Sequence, residues 1–191
     1  MIGTHNSFTY IDSTSKLYNK FSDFWRCQGK TIKEQYECGA RYFDVRVTPE
    51  TRGSRICWRV CHGKVDLGQT FISLKAIDAY FKKYKDATYR LGLERGDTSK
   101  FIKDVNNLVA RGKSQCKMAF IKDPWKTIFQ ASDHLPLTDM TYVPWNTGKD
   151  LWYNITHFKL DTIAYHAKKE NTKLTSEMIE DPNHIYFIDY I

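Results

Sequence analysis

The sequence predicts an α/β fold of one domain, and three observations predict it. Short apolar runs bounded by turn residues recur along the chain, and segments with helical spacing separate them. The 191 residues, 41% hydrophobic and 15% aromatic, can bury one sizeable core. Strands alternating with helices favour parallel pairing through crossover connections. No internal repeat, low-complexity tract or Gly/Ser linker divides residues 1–191, so a single domain is expected.

Residues 42–47 read as the first buried strand, followed by 56–60, 89–93, 118–121 and Ile185–Ile188. Helical patterns fall between them at 31–38, 71–84 and 101–110. In the second, Phe71, Leu74, Ile77, Tyr80, Phe81 and Tyr84 recur near helical spacing. Ser73 or Thr70 is placed to cap that helix, and Thr98 or Ser99 the next, since a hydroxyl there accepts from an unbonded amide. Residues 124–148, with Pro136, Pro144 and several Asp and Thr, read as a loop framing a binding mouth, and 150–169 returns to helix.

A formal charge of +7 points to an anionic partner: nucleic acid, an anionic membrane surface or a phosphorylated small molecule. The Lys and Arg residues are scattered, with short pairs such as Lys82-Lys83 and Lys168-Lys169 and no concentrated basic helix. Nucleic acid is therefore not the expected partner. Five cysteines without framework spacing are expected as free thiols. Cys57 and Cys61 could join across a tight turn or share a metal with His62, but no second pair completes a zinc set. No basic segment followed by an apolar run opens the chain, and no apolar stretch approaches the roughly 20 residues of a membrane span. A cytoplasmic location is expected, or a secreted one if a segment precedes Met1.

Three segments carry chemistry: Ile2-Gly3-Thr4-His5-Asn6-Ser7, Ala40-Arg41-Tyr42-Phe43-Asp44-Val45-Arg46 and Val60-Cys61-His62-Gly63. Together they resemble the X domain of phosphatidylinositol-specific phospholipases C. That family has a Gly-Thr-His segment with the first catalytic histidine, a Gly-x-Arg-x-x-Asp-x-Arg strand with the phosphate-binding arginine in bacterial members, and a His-Gly pair with the second histidine. Gly39, Arg41, Asp44 and Arg46 fill the strand pattern, and Phe187-Ile188-Asp189-Tyr190-Ile191 resembles the last barrel strand with its buried aspartate. The resemblance implies a distorted, compact (β/α) barrel of the TIM type and a metal-independent, monomeric enzyme. It would cleave phosphatidylinositol to inositol 1,2-cyclic phosphate and diacylglycerol, touching the membrane peripherally.

The residue types suit that chemistry. Attack of a neighbouring hydroxyl on a phosphodiester needs a base, an acid for the leaving oxygen and positive charge for the phosphoryl oxygens. By the resemblance, His5 is the base, His62 the acid, Arg46 the phosphate clamp, and Asp189 the partner that fixes the His5 tautomer. Asn6 stands where bacterial members commonly carry an aspartate paired with the second histidine, so a weaker acid partner or a changed His62 pKa is expected.

Calcium-dependent members place Asn at that position too, with acidic residues on the next strands. Here Asn6, Asp44 and Glu94 would form that set, with Arg46 replacing the fourth donor. An arginine in that place would neutralise Asp44 or Glu94, so no metal cofactor is expected, with calcium as the alternative. Asp44 alternatively braces a barrel end through a salt bridge.

Substrate contacts are expected from Glu94, Arg95 and Lys122 at strand ends, and from Asp150 and Trp152, which resemble an Asp-x-Tyr inositol-binding element. Trp152 fits a core position equally well. Two other functions stay open. One is a phosphodiesterase of this fold acting on a soluble nucleotide or cyclic signalling molecule, with Trp125, Trp145 and Trp152 stacking on bases. The other is an inactive phosphoinositide-binding module.

Overall fold

A computed structural model describes residues 1–110, 112–139 and 163–191. Its strands are β1 (Ile2–Thr4), β2 (Tyr42–Arg52), β3 (Arg55–His62), β4 (Val65–Phe71), β5 (Thr88–Leu93), β6 (Cys116–Ile121), β7 (Lys126–Gln130), β8 (Leu137–Asp139) and β9 (Ile185–Ile188). Among the described residues they form one curled half-barrel sheet in the order β7-β6-β5-β2-β1-β9-β8. The six strands from β6 to β8 in that order pair in parallel, as the alternating sequence pattern requires. Three of the parallel connections carry helices α2 (Ile32–Glu37), α3 (Leu74–Phe81) and α4 (Thr98–Val109), and a short α1 (Lys16–Lys20) precedes them. Helices α5 (Ile163–Asn171) and α6 (Ser176–Glu180) lead into β9. The architecture is the α/β barrel type that the sequence predicts.

The two faces of the central strands differ in kind. On β2, Phe43, Val45 and Val47 pack with Tyr89, Leu91 and Leu93 of β5 and Ala119 and Ile121 of β6 in the main core, together with Leu74, Ile77 and Phe81 of α3 and Phe101 and Val105 of α4. The alternate residues Tyr42, Asp44 and Arg46 point the other way, because strand side chains alternate. Beyond Val47, β2 leaves its parallel neighbours and pairs antiparallel with β3, which turns into β4. That excursion brings His62 back at its end. Gly63 occupies the turn at φ 56°, the left-handed region that favours glycine, which accounts for the His-Gly pair.

Three expectations need correction. Helix 71–84 begins at Leu74: Phe71 ends β4, and the Ser73 hydroxyl accepts from the Ala76 amide at 3.2 Å, which makes Ser73 the cap. Helix α4 is capped by Asp97 rather than Thr98 or Ser99, its carboxylate accepting from the Lys100 amide at 3.0 Å. The segment expected as loop from 124 contains β7 and β8, which stand at the two ends of the sheet order and pair with β6 and β9. None of the described helices is long and apolar enough to cross a membrane.

Candidate active site

Parallel strands of a barrel open their carboxyl ends on one face. His5 follows β1, Glu94 follows β5, Lys122 follows β6 and Asp189 follows β9, each directly after the last strand residue. Asp44 and Arg46 stand within β2, and His62 ends β3. The convergence is measurable: the His5 and His62 rings lie 6.4 Å apart between centroids at an interplanar angle of 76°.

The turn after β1 holds His5. The Ser7 hydroxyl donates to the Thr4 carbonyl at 2.7 Å and accepts from the Asp44 amide at 2.8 Å, stitching the turn to β2. Asn6 takes φ 44°, a conformation asparagine tolerates better than most residues, and its amide N–H reaches Asp44 Oδ2 at 3.2 Å. His5 Nδ1 faces Asp189 Oδ1 at 3.2 Å, which sets Nδ1 as the protonated nitrogen of the neutral ring. The ring's Nε2 then accepts from Asn6 Nδ2 at 3.1 Å and lies 3.8 Å from Asp44 Oδ2.

His62 has a different environment. Its Nδ1 donates to the Trp25 carbonyl at 2.5 Å, leaving Nε2 as the nitrogen that takes up or releases a proton. Arg95 clamps its turn by donating to the Gly63 carbonyl and pairing with Asp66. Burial, reinforced by the nearby His5, lowers the His62 pKa to about 4. That lowering comes from burial and from His5 rather than from Asn6, and it leaves His62 neutral at pH 7.

Between the histidines and the sheet runs an ion lattice. Asp44 Oδ1 accepts from Arg46 Nε at 2.7 Å and from Arg90 Nε at 2.9 Å, while Arg90 Nη2 reaches Oδ2 at 3.2 Å. Arg46 Nη1 continues to Glu94 Oε1 at 3.0 Å, and Lys122 Nζ to Glu94 Oε2 at 2.7 Å. Burial alone would raise the Asp44 pKa, but Arg46 and Arg90 outweigh it and hold the carboxyl well below its usual range. Three cations share these two carboxylates, so the lattice carries surplus positive charge. Gly92 gives Arg46 its room: a Cβ there would meet Arg46 Cδ and Phe120 Cζ, both at 2.6 Å.

Of the residues read from sequence, His5, Asn6, Asp44, Arg46, His62, Glu94, Lys122 and Asp189 thus form one connected cluster. Asp44 is fully buried and braces the lattice, and Arg95 supports the His62 turn. Asp150 and Trp152 lie outside the described residues. Calcium would need Asn6, Asp44 and Glu94 to turn their oxygens to a common point. The Arg46 guanidinium lies between the two carboxylates and bonds both, so this donor set does not fit that ion.

Sequence reasoning missed Arg90, although a charged residue within the apolar run 89–93 was its signal. It also missed the segment from Trp25 to Gln28. Thr9 Oγ1 accepts from the amides of Cys27 and Gln28, both at 2.9 Å, and Gln28 Nε2 donates to the Ile188 carbonyl at 2.8 Å. No local pattern announces those contacts. All five cysteines are free thiols, as expected.

No protein-family model matches this chain, and no curated protein matches it by sequence. Solved structures do match. Phosphatidylinositol-specific phospholipase C from Listeria monocytogenes superposes with a TM-score of 0.59 at 16% identity, over 100% of this chain and 87% of that one. The phosphatidylinositol-specific phospholipase C of S. aureus gives 0.58 at 12% identity, over 100% and 85%. At such identities the likeness shows fold alone: a TIM-like α/β barrel of the kind those two proteins have.

Proposed function

We propose that this chain is a metal-independent phosphodiesterase that cleaves phosphatidylinositol into inositol 1,2-cyclic phosphate and diacylglycerol. The observation that carries the reading is the meeting of His5 and His62, with rings 6.4 Å apart, beside a lattice with surplus positive charge. His5 Nε2 takes the proton of the attacking inositol hydroxyl, and Asp189 stabilises the imidazolium that results. His62 delivers a proton to the leaving glycerol oxygen. Its resting pKa of about 4 leaves it neutral, and an arriving phosphate supplies the negative charge that favours its protonation. Arg46 faces the phosphoryl oxygens with its charge already oriented, at no reorganisation cost when the reaction occurs.

The Arg46 bridge between Asp44 and Glu94 supports a reaction without calcium, since a cation already stands there. Leu17, Tyr18 and Phe21 are exposed, with Lys16 and Lys20 among them, which suits peripheral contact with an anionic membrane by a monomer. Phosphorus NMR of phosphatidylinositol incubated with the protein, with and without chelator, tests the function. A cyclic phosphate formed equally in both is expected. Loss of turnover with chelator would move the reaction to the calcium class. Turnover of a soluble phosphodiester with none of the lipid would transfer the chemistry to that substrate class.

A further inference from the structure

Beside His5 and Asp189 lies a side chain for which phosphodiester cleavage has no use. The Cys27 thiol is 2% exposed, accepts from Asn6 Nδ2 at 3.6 Å, and forms a triangle with the other two residues in which the ligand atoms lie within 4.8 Å of one another. We propose that His5, Cys27 and Asp189 form an inhibitory site for a thiophilic divalent cation, with Zn²⁺ the ion whose chemistry fits best.

Imidazole nitrogen, thiolate sulfur and carboxylate oxygen are all ordinary zinc donors, and the thiolate selects against calcium and magnesium. At zinc bond lengths of about 2.0–2.3 Å, tetrahedral donors stand roughly 3.5 Å apart, so the triangle closes with a contraction of about 1 Å. Zn²⁺ with one thiolate and one carboxylate is electrically neutral, which suits a buried position. The ion has a route in along His5, whose side chain is 21% exposed.

An independent feature points to the same place. Asn6 is 4% exposed, and its Oδ1 is buried without a hydrogen-bond partner among the described residues, while its Nδ2 touches both His5 and Cys27. Binding breaks the Cys27 S–H bond, the electron pair staying on sulfur and the proton leaving to solvent. When His5 Nδ1, the nitrogen facing Asp189, takes the ion, its proton moves to Nε2. A half-turn of the Asn6 amide then lets Oδ1 accept from Nε2–H and satisfies the orphaned oxygen. The nitrogen that serves as the base is thereby protonated, and catalysis stops. Burial and the neighbouring Asp189 raise the thiol pKa, so affinity should weaken as pH falls.

The inhibitory consequence rests on His5 being the base; the binding does not. Co²⁺ titration of the Cys38→Ser protein, which lacks the exposed thiol, should give one ion per chain with a thiolate-to-cobalt absorption band that Zn²⁺ abolishes. Cys27→Ala should lose the band. Asp189→Asn should weaken Co²⁺ binding roughly tenfold or more. Absence of the band, or its persistence in Cys27→Ala, overturns the site. If Cys27→Ala does not fold, unchanged affinity in Asp189→Asn overturns it. Zinc binding to a protein that cleaves no phosphodiester would sink the enzymatic reading and leave the cation site standing.

Discussion

The two faces of β2 and β5 are built on the same backbone and behave as different materials. On one, Phe43, Val45, Val47 and Leu91 are packed by helices; on the other, Asp44, Arg46 and Arg90 form a fully charged lattice. Apolar contacts are individually weak and forgiving, so the first face loses stability in proportion to the volume removed. A buried ion has no such gradation: removing one partner strands the other in a medium that cannot solvate it. Each ion of the charged face therefore depends on its partners, whereas the aliphatic face gives way by degrees.

The largest contrast should appear in turnover. His62→Ala should lower phosphodiester cleavage by about 10²–10⁴-fold, and Arg46→Met by about 10²–10³-fold, while Val45→Ala on the opposite face keeps the rate within a few-fold. Equal losses from all three, measured by phosphorus NMR, would erase the distinction between the faces.

Stability should separate them next. Asp44→Asn leaves two arginines undercompensated and should cost about 3–5 kcal/mol in urea unfolding, against about 2 kcal/mol for Val45→Ala. Adding Arg90→Met to Asp44→Asn should recover part of the loss, a non-additivity that no pair of distant aliphatic truncations should show. Gly92→Ala stands at the boundary. Its methyl must displace Arg46 or Phe120, for a loss of about 1–3 kcal/mol and a raised KM for the phosphodiester.

The smallest effect concerns pH. The folded pKa of His62, about 4, lies below the ordinary 6.5, so the unfolded chain binds the extra proton between those values. The contribution of His62 to stability is whole above 6.5 and falls as pH drops toward 4. With His62 as the proposed acid, which must be protonated to act, kcat/KM should peak on the acid side of neutrality. Asn6→Asp, by placing a carboxylate against the His5 ring, should move that peak upward; a peak unmoved or shifted downward would contradict the electrostatic account.

The strands at 42–47, 89–93 and 118–121 were legible because a buried strand needs an apolar run, and such runs announce themselves. Strands β1, β7 and β8 were not: three to five residues, two of these strands at the sheet ends, carry too few apolar side chains to form a pattern. Likewise β4, with sequence Val-Asp-Leu-Gly-Gln-Thr-Phe, is interrupted by polar residues that its hairpin position leaves partly exposed. In the candidate site, His5, Arg46, His62 and Asp189 were legible through motifs, whereas Cys27 and Gln28 sit in a segment without any.

The sequence alone determined which residues can titrate, which can carry charge into an apolar strand and where each strand begins to bury itself, because these follow from local side-chain chemistry and period. Only the tertiary structure decided that residues 5, 27, 44, 62 and 189 share one neighbourhood and that His62 loses its proton while Asp44 keeps its charge. Those outcomes depend on distances across the barrel and on the exclusion of water, which no local stretch of chain encodes.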